Sequence, residues 1–236
     1  IFDRAGFEGP WVVSIFAYLI STASGEKISL GMPSGHPFKD YEITVSRDGN
    51  RMRLAMEQLR WTKQKIYSSA YIVYPTRAKG NSKAENMTRM IISPTIDIGD
   101  KLRSHIAFGS IEKFVNELAG SFGIKTFIAG QVAADLTYIH GQLDNAYDLY
   151  SWAPMGPGSQ RGLNRLHERY LKKKISEVDF NSELVDVRGK LINSNKMFED
   201  LTLHDVQNVM CEFDKYMRVL RNEGKPRQLY RPEGAF

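Results

Sequence analysis

Three stretches of this chain carry residue types that could do chemistry. Cys211-Glu-Phe-Asp-Lys-Tyr216 places two carboxylates, an amine and a phenol side by side in sequence. On a helix Glu212, Lys215 and Tyr216 come round to one side, and Asp214 and Arg218, four positions apart, to another. In a half-buried patch such an acid and lysine transfer protons or polarise a nucleophile. On an open helix face they are ion pairs worth only a few tenths of a kcal/mol. Upstream, Gln131 and Asp135 are also four apart, beside the apolar stripe Ile128, Val132, Leu136 and Ile139. A carboxylate beside a core stripe is costly to desolvate without a partner. Asp135 is therefore either a structural acid held by a backbone group or an arginine, or a functional one. Between them lies Trp152-Ala-Pro-Met-Gly-Pro-Gly-Ser-Gln-Arg-Gly-Leu-Asn-Arg-Leu166. Gly156-Pro157-Gly158 reads as a tight turn with exposed amides, and Ser159 is placed to cap a helix beginning near Gln160. A helix start is an anion site, and Arg161 and Arg165 add charge beside it. The corner is thus either a grip on a nucleic-acid phosphate or an ordinary helix–turn–helix corner.

The elements that must hold these groups are mainly helical. Ser110 is expected to cap a helix with Ile111, Phe114, Val115 and Leu118 on one face, ending at Gly120. Lys125 to His140 reads as a strong amphipathic helix, preceded by a short one over Lys101 to Ala107. A helix over 160 to 174 is expected to end in Lys172-Lys-Lys174, where positive charge suits the dipole. Residues 175 to 200 read as one short helix between loops. Thr202, with Asp205 at the capping-box spacing, opens the last long helix. Its expected stripe is Val206, Val209, Met210, Phe213, Met217 and Leu220, stopped by Gly224 and Pro226. Nearer the N-terminus, residues 1 to 24 read as an apolar helix or buried segment and 25 to 50 as a loop-rich excursion. Within that excursion Tyr41 to Val45 is a short strand and Arg47-Asp-Gly-Asn50 a turn signal, which together suggest a β-hairpin. Met52 to Tyr67 reads as a basic helix, Ser69 to Tyr74 as a β-prone run, Thr76 to Glu85 as a polar basic loop, and Asn86 to Ile98 as a helix turn and a loop. We divide the chain into an N-terminal helical part, 1–104, and a helical part, 105–236, that carries the candidate chemistry.

Composition bounds the function. The 236 residues are 42% hydrophobic and 25% charged, which describes a globular chain able to bury a core. No apolar run approaches the roughly 20 residues needed to span a bilayer, so no membrane role is expected. A single cysteine, Cys211, excludes an internal disulfide framework and fits a cytoplasmic setting. The histidines are scattered and Cys211 has no partner at zinc spacing, so neither metal nor cofactor is expected. A net charge of +5 favours a polyanionic partner. The chain holds no Gly-x-x-x-x-Gly-Lys-Ser/Thr loop, so it has no P-loop with which to phosphorylate anything by itself.

Taken jointly, Phe127-Ile-Ala-Gly-Gln-Val-Ala-Ala-Asp-Leu136, Trp152 to Leu166 and Cys211-Glu-Phe-Asp-Lys-Tyr-Met-Arg218 resemble a known family. They look like the phage α-glutamyl/putrescinyl thymine pyrophosphorylases, or amino acid:DNA transferases. The same helical module resembles the helical domain attached to 5-hydroxymethyluracil DNA kinases and is related to the helix-hairpin-helix DNA glycosylases. The resemblance is best from about 105 to 232 and looser before that, where Ser69-Ala-Tyr-Ile72 is its clearest point. It implies a mainly α, helix-hairpin-helix glycosylase-like fold with a small loop or β-hairpin excursion near the N-terminus. Pro154-Met-Gly-Pro-Gly158 is similar to the glycosylases' Leu-Pro-Gly-Val-Gly hairpin. Asp179, the acid nearest the position at which those enzymes carry a catalytic Asp, stands off that spacing, which argues against base excision.

For the transferases the resemblance implies displacement of pyrophosphate from an activated 5-hydroxymethyluracil in double-stranded DNA by a small amine, an amino acid or putrescine. Gln131, Asp135, Glu212, Asp214 and Lys215 would then surround the pocket. Asp135 or Glu212 suits the general base, and Arg161, Lys215 or Arg218 the departing pyrophosphate. Trp152, Tyr138 or Tyr216 would stack on the extruded base. Gly156, Gly158, Ser159, Arg161, Arg165 and Arg218 would hold the DNA phosphates. A non-catalytic helical DNA-binding module and a glycosylase are the competing readings.

Overall fold

A computed structural model describes residues 93–223 apart from 122, the strand residues 27–29 and 42–44, and isolated positions between 53 and 91. The readings of residues 1 to 24, of the 47–50 turn, of Ser69 to Tyr74 and of most of Met52 to Glu85 lie outside the described residues. The fold is mainly α, as the sequence leads one to expect. Strand β1, Lys27–Ser29, pairs antiparallel with β2, Glu42–Thr44, with Ile28 opposite Ile43. The strand expected at 41–45 is present, and its partner lies upstream of it.

The chain forms two compact units, Ile1–Leu149 and Tyr150–Phe236. In the first, α1 is Ser93–Asp97, α2 Gly99–Phe108, α3 Ile111–Ala119 and α4 Thr126–Thr137. Helix α2 ends because Gly109 adopts φ 73°, and its N–H reaches back to the carbonyls of His105 and Ile106. Ser110 caps α3 as expected, its side chain accepting from Lys113 N. The stripe Ile111, Phe114, Val115 and Leu118 is buried, and so are Ile128, Val132 and Leu136 of α4. Helix α4 ends three residues short of the expected His140, and the chain continues in turns.

In the second unit α5 is Pro157–Leu166, α6 Glu177–Ser194 and α7 Leu203–Leu220. Its core is Ala153, Leu163, Ile175, Phe180, Leu184, Val187, Leu203, Val206 and Met210. Two expectations change here. Helix α5 begins at Pro157 rather than Gln160 and ends at Leu166, so Lys172-Lys-Lys174 lies in a loop and not at a helix end. Proline at the first helical position explains the early start, since its missing N–H has no intrahelical partner to lose. The expected short helix after 175 is an 18-residue one. Ser176 accepts from Asp179 N at its start, and Phe180, Leu184 and Val187 face the core. Thr202 and Asp205 form the reciprocal box at the start of α7: Thr202 N donates to Asp205 Oδ2 at 2.9 Å and Asp205 N to Thr202 Oγ1 at 3.1 Å. The buried residues of α7 are Leu203, His204, Val206, Gln207, Met210 and Asp214, whereas Val209 and Leu220 are exposed and Phe213 is half-exposed. The helix is rotated from the expected stripe so that an acid, not a phenylalanine, points inward.

Candidate functional site

In the second unit the glycine corner is built by helix packing rather than by unusual backbone angles. Gly156 is extended, at φ −115° and ψ 155°, and is the residue before the first turn of α5. A Cβ on Gly158 would lie 3.0 Å from Cys211 Sγ, and one on Gly162 2.2 Å from the Met210 carbonyl oxygen. The two glycines, one helical turn apart, let the backbone of α5 approach α7 where any side chain would hold them apart. Ser159 is completely buried one turn into the helix and does not cap it in the usual sense. Its Oγ accepts from Gly156 N at 3.2 Å and from Gln207 Nε2 at 3.0 Å and donates to Gly156 O at 3.0 Å. The hydroxyl thus ties the corner to both helices, with its hydrogen-bonding capacity used internally.

The same contact places a carboxylate inside. Asp214 is 0% exposed. Its two oxygens accept from Arg161 Nε and Arg165 Nε, each at 2.8 Å. Arg165 is itself buried and also pairs with Glu223, whose carboxyl it holds below the usual carboxylate range. Arg161 is 36% exposed, so of the two α5 arginines expected at DNA one reaches the surface. A buried acid survives only when paired and hydrogen-bonded, and here two guanidinium groups meet that requirement. The structure therefore brings Asp214, Arg161 and Arg165 together as an internal cluster. Arg218, four residues from Asp214, makes no ion pair with it among the described residues. Burial pushes the Cys211 thiol up, and Gln207 Nε2 approaches its sulfur at 3.5 Å.

On the outer side of α7 Glu212 pairs with Lys215, both well exposed, and Tyr216 is exposed beside them. Such a pair contributes little to stability, so these groups are available for other work. Trp152 is 7% exposed, and its indole N–H donates to Glu177 Oε1 at 3.1 Å. It is a core side chain, whereas Tyr138 and Tyr216 present their rings to solvent. Asp179 lies in the first turn of α6, where its carboxylate accepts from the Ser176 hydroxyl at 2.7 Å.

The first unit carries Gln131, Asp135 and Tyr138. Gln131 and Asp135 are both half-buried on α4, and Tyr138 follows its last turn. A residue the sequence reading passed over is Asp148. It is buried and accepts from Ile111 N at 2.8 Å, Glu112 N at 3.0 Å and Ser110 Oγ at 3.0 Å. The acid fills the anion position that the start of α3 offers. Its separation from Ser110 hides this role in the sequence. Beside it Phe108 and Tyr147 pack edge to face, 5.7 Å between ring centroids, with Lys113 Nζ 3.8 Å above the Phe108 ring. No helix among the described residues is long and apolar enough to cross a membrane.

Among protein families, residues 36–226 match the one described as the 5-hmdU DNA kinase, helical domain. Comparison with curated proteins gives no match. Comparison with solved structures gives none either.

Proposed function

The chain belongs to the family of 5-hmdU DNA kinase helical domains, and from that premise we propose that it acts on DNA as a transferase within a base-modification system. The reaction is displacement of pyrophosphate from a 5-(pyrophosphoryloxymethyl)uracil base by an amine, an amino acid or putrescine. The amine nitrogen bonds to the 5-methylene carbon, the C–O bond to pyrophosphate breaks, and the nitrogen loses a proton to a base. The observation that carries this reading is the family match across most of the chain. The resemblance of the 127–136, 152–166 and 211–218 motifs to the thymine pyrophosphorylases supports the finer assignment.

The Pro154–Gly158 corner leading into α5 is then the hairpin of a helix-hairpin-helix. Asp135 or Glu212 serves as the base, with Gln131 beside Asp135. Lys215, Arg218 and the exposed side of Arg161 neutralise the departing pyrophosphate. Tyr138 or Tyr216, the accessible two of the three aromatic candidates, receives the extruded base. Asp214 takes a structural place in this scheme, because its two oxygens are already committed to arginines.

One observation favours a second reading. Asp214, Arg165, Ser159 and Trp152 are consumed by internal contacts, which is what a helical DNA-binding module without chemistry of its own would show.

Nucleoside mass spectrometry separates the readings. The chain is incubated with duplex DNA carrying the pyrophosphorylated base and a pool of amines, and the DNA is then digested. A mass gain with pyrophosphate release is the transferase outcome, and loss of it in Asp135→Asn or Glu212→Gln, with DNA retention kept, assigns the base. Unchanged nucleosides with retained DNA establish the binding module, and free base establishes a glycosylase.

A further inference from the structure

We propose that the loop joining α5 to α6, Tyr170–Lys174, is the DNA-backbone contact of the second unit. This rests on the reading of the chain as acting on DNA and names the surface that meets the phosphates. The expected contact at the corner has little charge to offer. Arg161 and Arg165 share the buried Asp214, and Glu223 takes the other side of Arg165. Two arginines and two carboxylates sum to zero.

The loop is built as a fixed platform. Asn164, completely buried on α5, donates from Nδ2 to Leu171 O at 3.2 Å and to Lys173 O at 2.8 Å. Its own carbonyl accepts from Arg169 N at 2.7 Å. Glu168, at φ 52°, turns the chain out of α5. The Arg169 guanidinium then grips the Glu183 carboxylate of α6 with both terminal nitrogens. Lys173 N closes a turn on Tyr170 O at 2.8 Å. The loop backbone is therefore held from below by one amide and from the side by one ion pair.

On this platform Lys172, Lys173 and Lys174 are all exposed, and Tyr170 is 72% exposed. Among the described residues none of the three lysines has an ion-pair partner. Of the flanking acids Glu183 is neutralised by Arg169, whereas Glu177 and Asp179 keep their charge and accept from the Trp152 indole and the Ser176 hydroxyl, not from the lysines. Glu168, also exposed, is the remaining acid of that stretch. The backbone under three adjacent ammonium groups is already ordered and loses little further freedom on binding. The ammonium groups match a partner that repeats negative charge, as duplex DNA does about every 1.7 Å of its axis. Lysine suits this task, being a compact point charge that reads phosphate without needing a particular base. The tyrosine ring beside them gives sugar or base edge a flat apolar surface.

The test is the salt dependence of binding of a labelled duplex to the full chain, measured from 50 to 200 mM salt. The wild type is compared with Lys172→Ala/Lys173→Ala/Lys174→Ala and with the triple lysine-to-arginine variant. Each phosphate contact contributes a slope of about −0.9 in log K against log salt, so the triple alanine variant should be shallower by up to ~2.7. Over that interval the wild type then loses up to roughly 40-fold more affinity than the variant. The arginine variant restores the slope, and an unchanged melting temperature in all three shows that folding is intact. A wild type that binds while the alanine variant keeps its slope overturns the loop assignment alone. A wild type that does not bind duplex DNA at 50 mM salt overturns the DNA reading, and this inference with it.

Discussion

Replacing Gly162 by alanine tests whether α5 and α7 meet as closely as described. An added Cβ would stand 2.2 Å from the Met210 carbonyl oxygen, 2.8 Å from its carbonyl carbon and 3.1 Å from its Cβ. Ordinary contact between such atoms lies near 3.5 Å, so the helices must separate by on the order of 1 Å. The obstacle is backbone, which no rotamer change can move aside. Overpacking of this kind costs about 1–3 kcal/mol, and the rigidity of the neighbour argues for the upper part of that range. Against it stands the gain from removing glycine inside a helix, at most about 1 kcal/mol. The net expectation is a loss of roughly 1–2 kcal/mol, seen as a lower urea midpoint at unchanged slope. Gly189, in the middle of α6, provides the control, because nothing lies within 4 Å of a Cβ placed there. Gly189→Ala should gain about 0.5–1 kcal/mol through helix propensity alone. If both substitutions stabilise the protein alike, the close approach of α5 to α7 is wrong, and with it the packing account of the glycine corner.

Asp214→Ala leaves the buried Arg165 guanidinium with Glu223 as its remaining partner and frees the partly exposed Arg161; loss of one partner of a buried pair costs at most about 3–5 kcal/mol. A fall in urea stability below about 1 kcal/mol would show that water reaches the site. His204 gives a pH signature. Burial at the start of α7 lowers its imidazole to about 4, with Asp205 opposing weakly. The unfolded chain takes up that proton near pH 6.5 and the folded one only near 4, so stability rises with pH across this window. It is lost as pH falls from 6.5 toward 4, on the order of 3 kcal/mol in total, and is insensitive to His204 above 6.5. Urea midpoints of wild type and His204→Gln should converge as pH falls through that window. A constant gap between them from pH 7 to 4 would refute the burial argument.

The starts of α3 and α7 were legible because their chemistry is local. Ser110 with Lys113 N, and Thr202 with Asp205, act across three residues, and such spacings survive as patterns in the chain. Ser176 with Asp179 is the same kind of signal. Weighed together with Phe180, Leu184, Val187 and Leu191 at four- and three-residue spacing, it would have revealed the whole of α6. The interleaved acids and Gly189 masked that stripe. The partners of Asp214 lie 53 and 49 residues away, and those of Asp148 between 36 and 38 residues away. Nothing local announces either. Periodicity placed Phe213 inward on α7 by hydrophobicity alone. The pairing with two arginines turned the helix so that Asp214 takes the inward position.

That rotation changes how variants in this unit are to be read. Asp214 lies in one of the motifs that resemble the transferases, and its replacement is expected to abolish activity whichever chemistry the protein performs, because it dismantles the contact between α5 and α7. Glu212 and Lys215 lie on the same helix two and one residues from Asp214, yet they are exposed and, among the described residues, pair with each other. Their replacement leaves the core untouched, so an activity loss at Glu212 with an unchanged melting temperature speaks for chemistry. The same reasoning separates Arg161 from the lysine loop. Arg161 binds a buried acid, so Arg161→Ala perturbs stability and charge together. Lys172, Lys173 and Lys174 make no ion pair among the described residues, so their removal changes the surface charge and little else. Function in this unit is therefore read from the outward side chains, whereas the inward polar residues of the resembling motifs hold the two helices at the distance that the glycines allow.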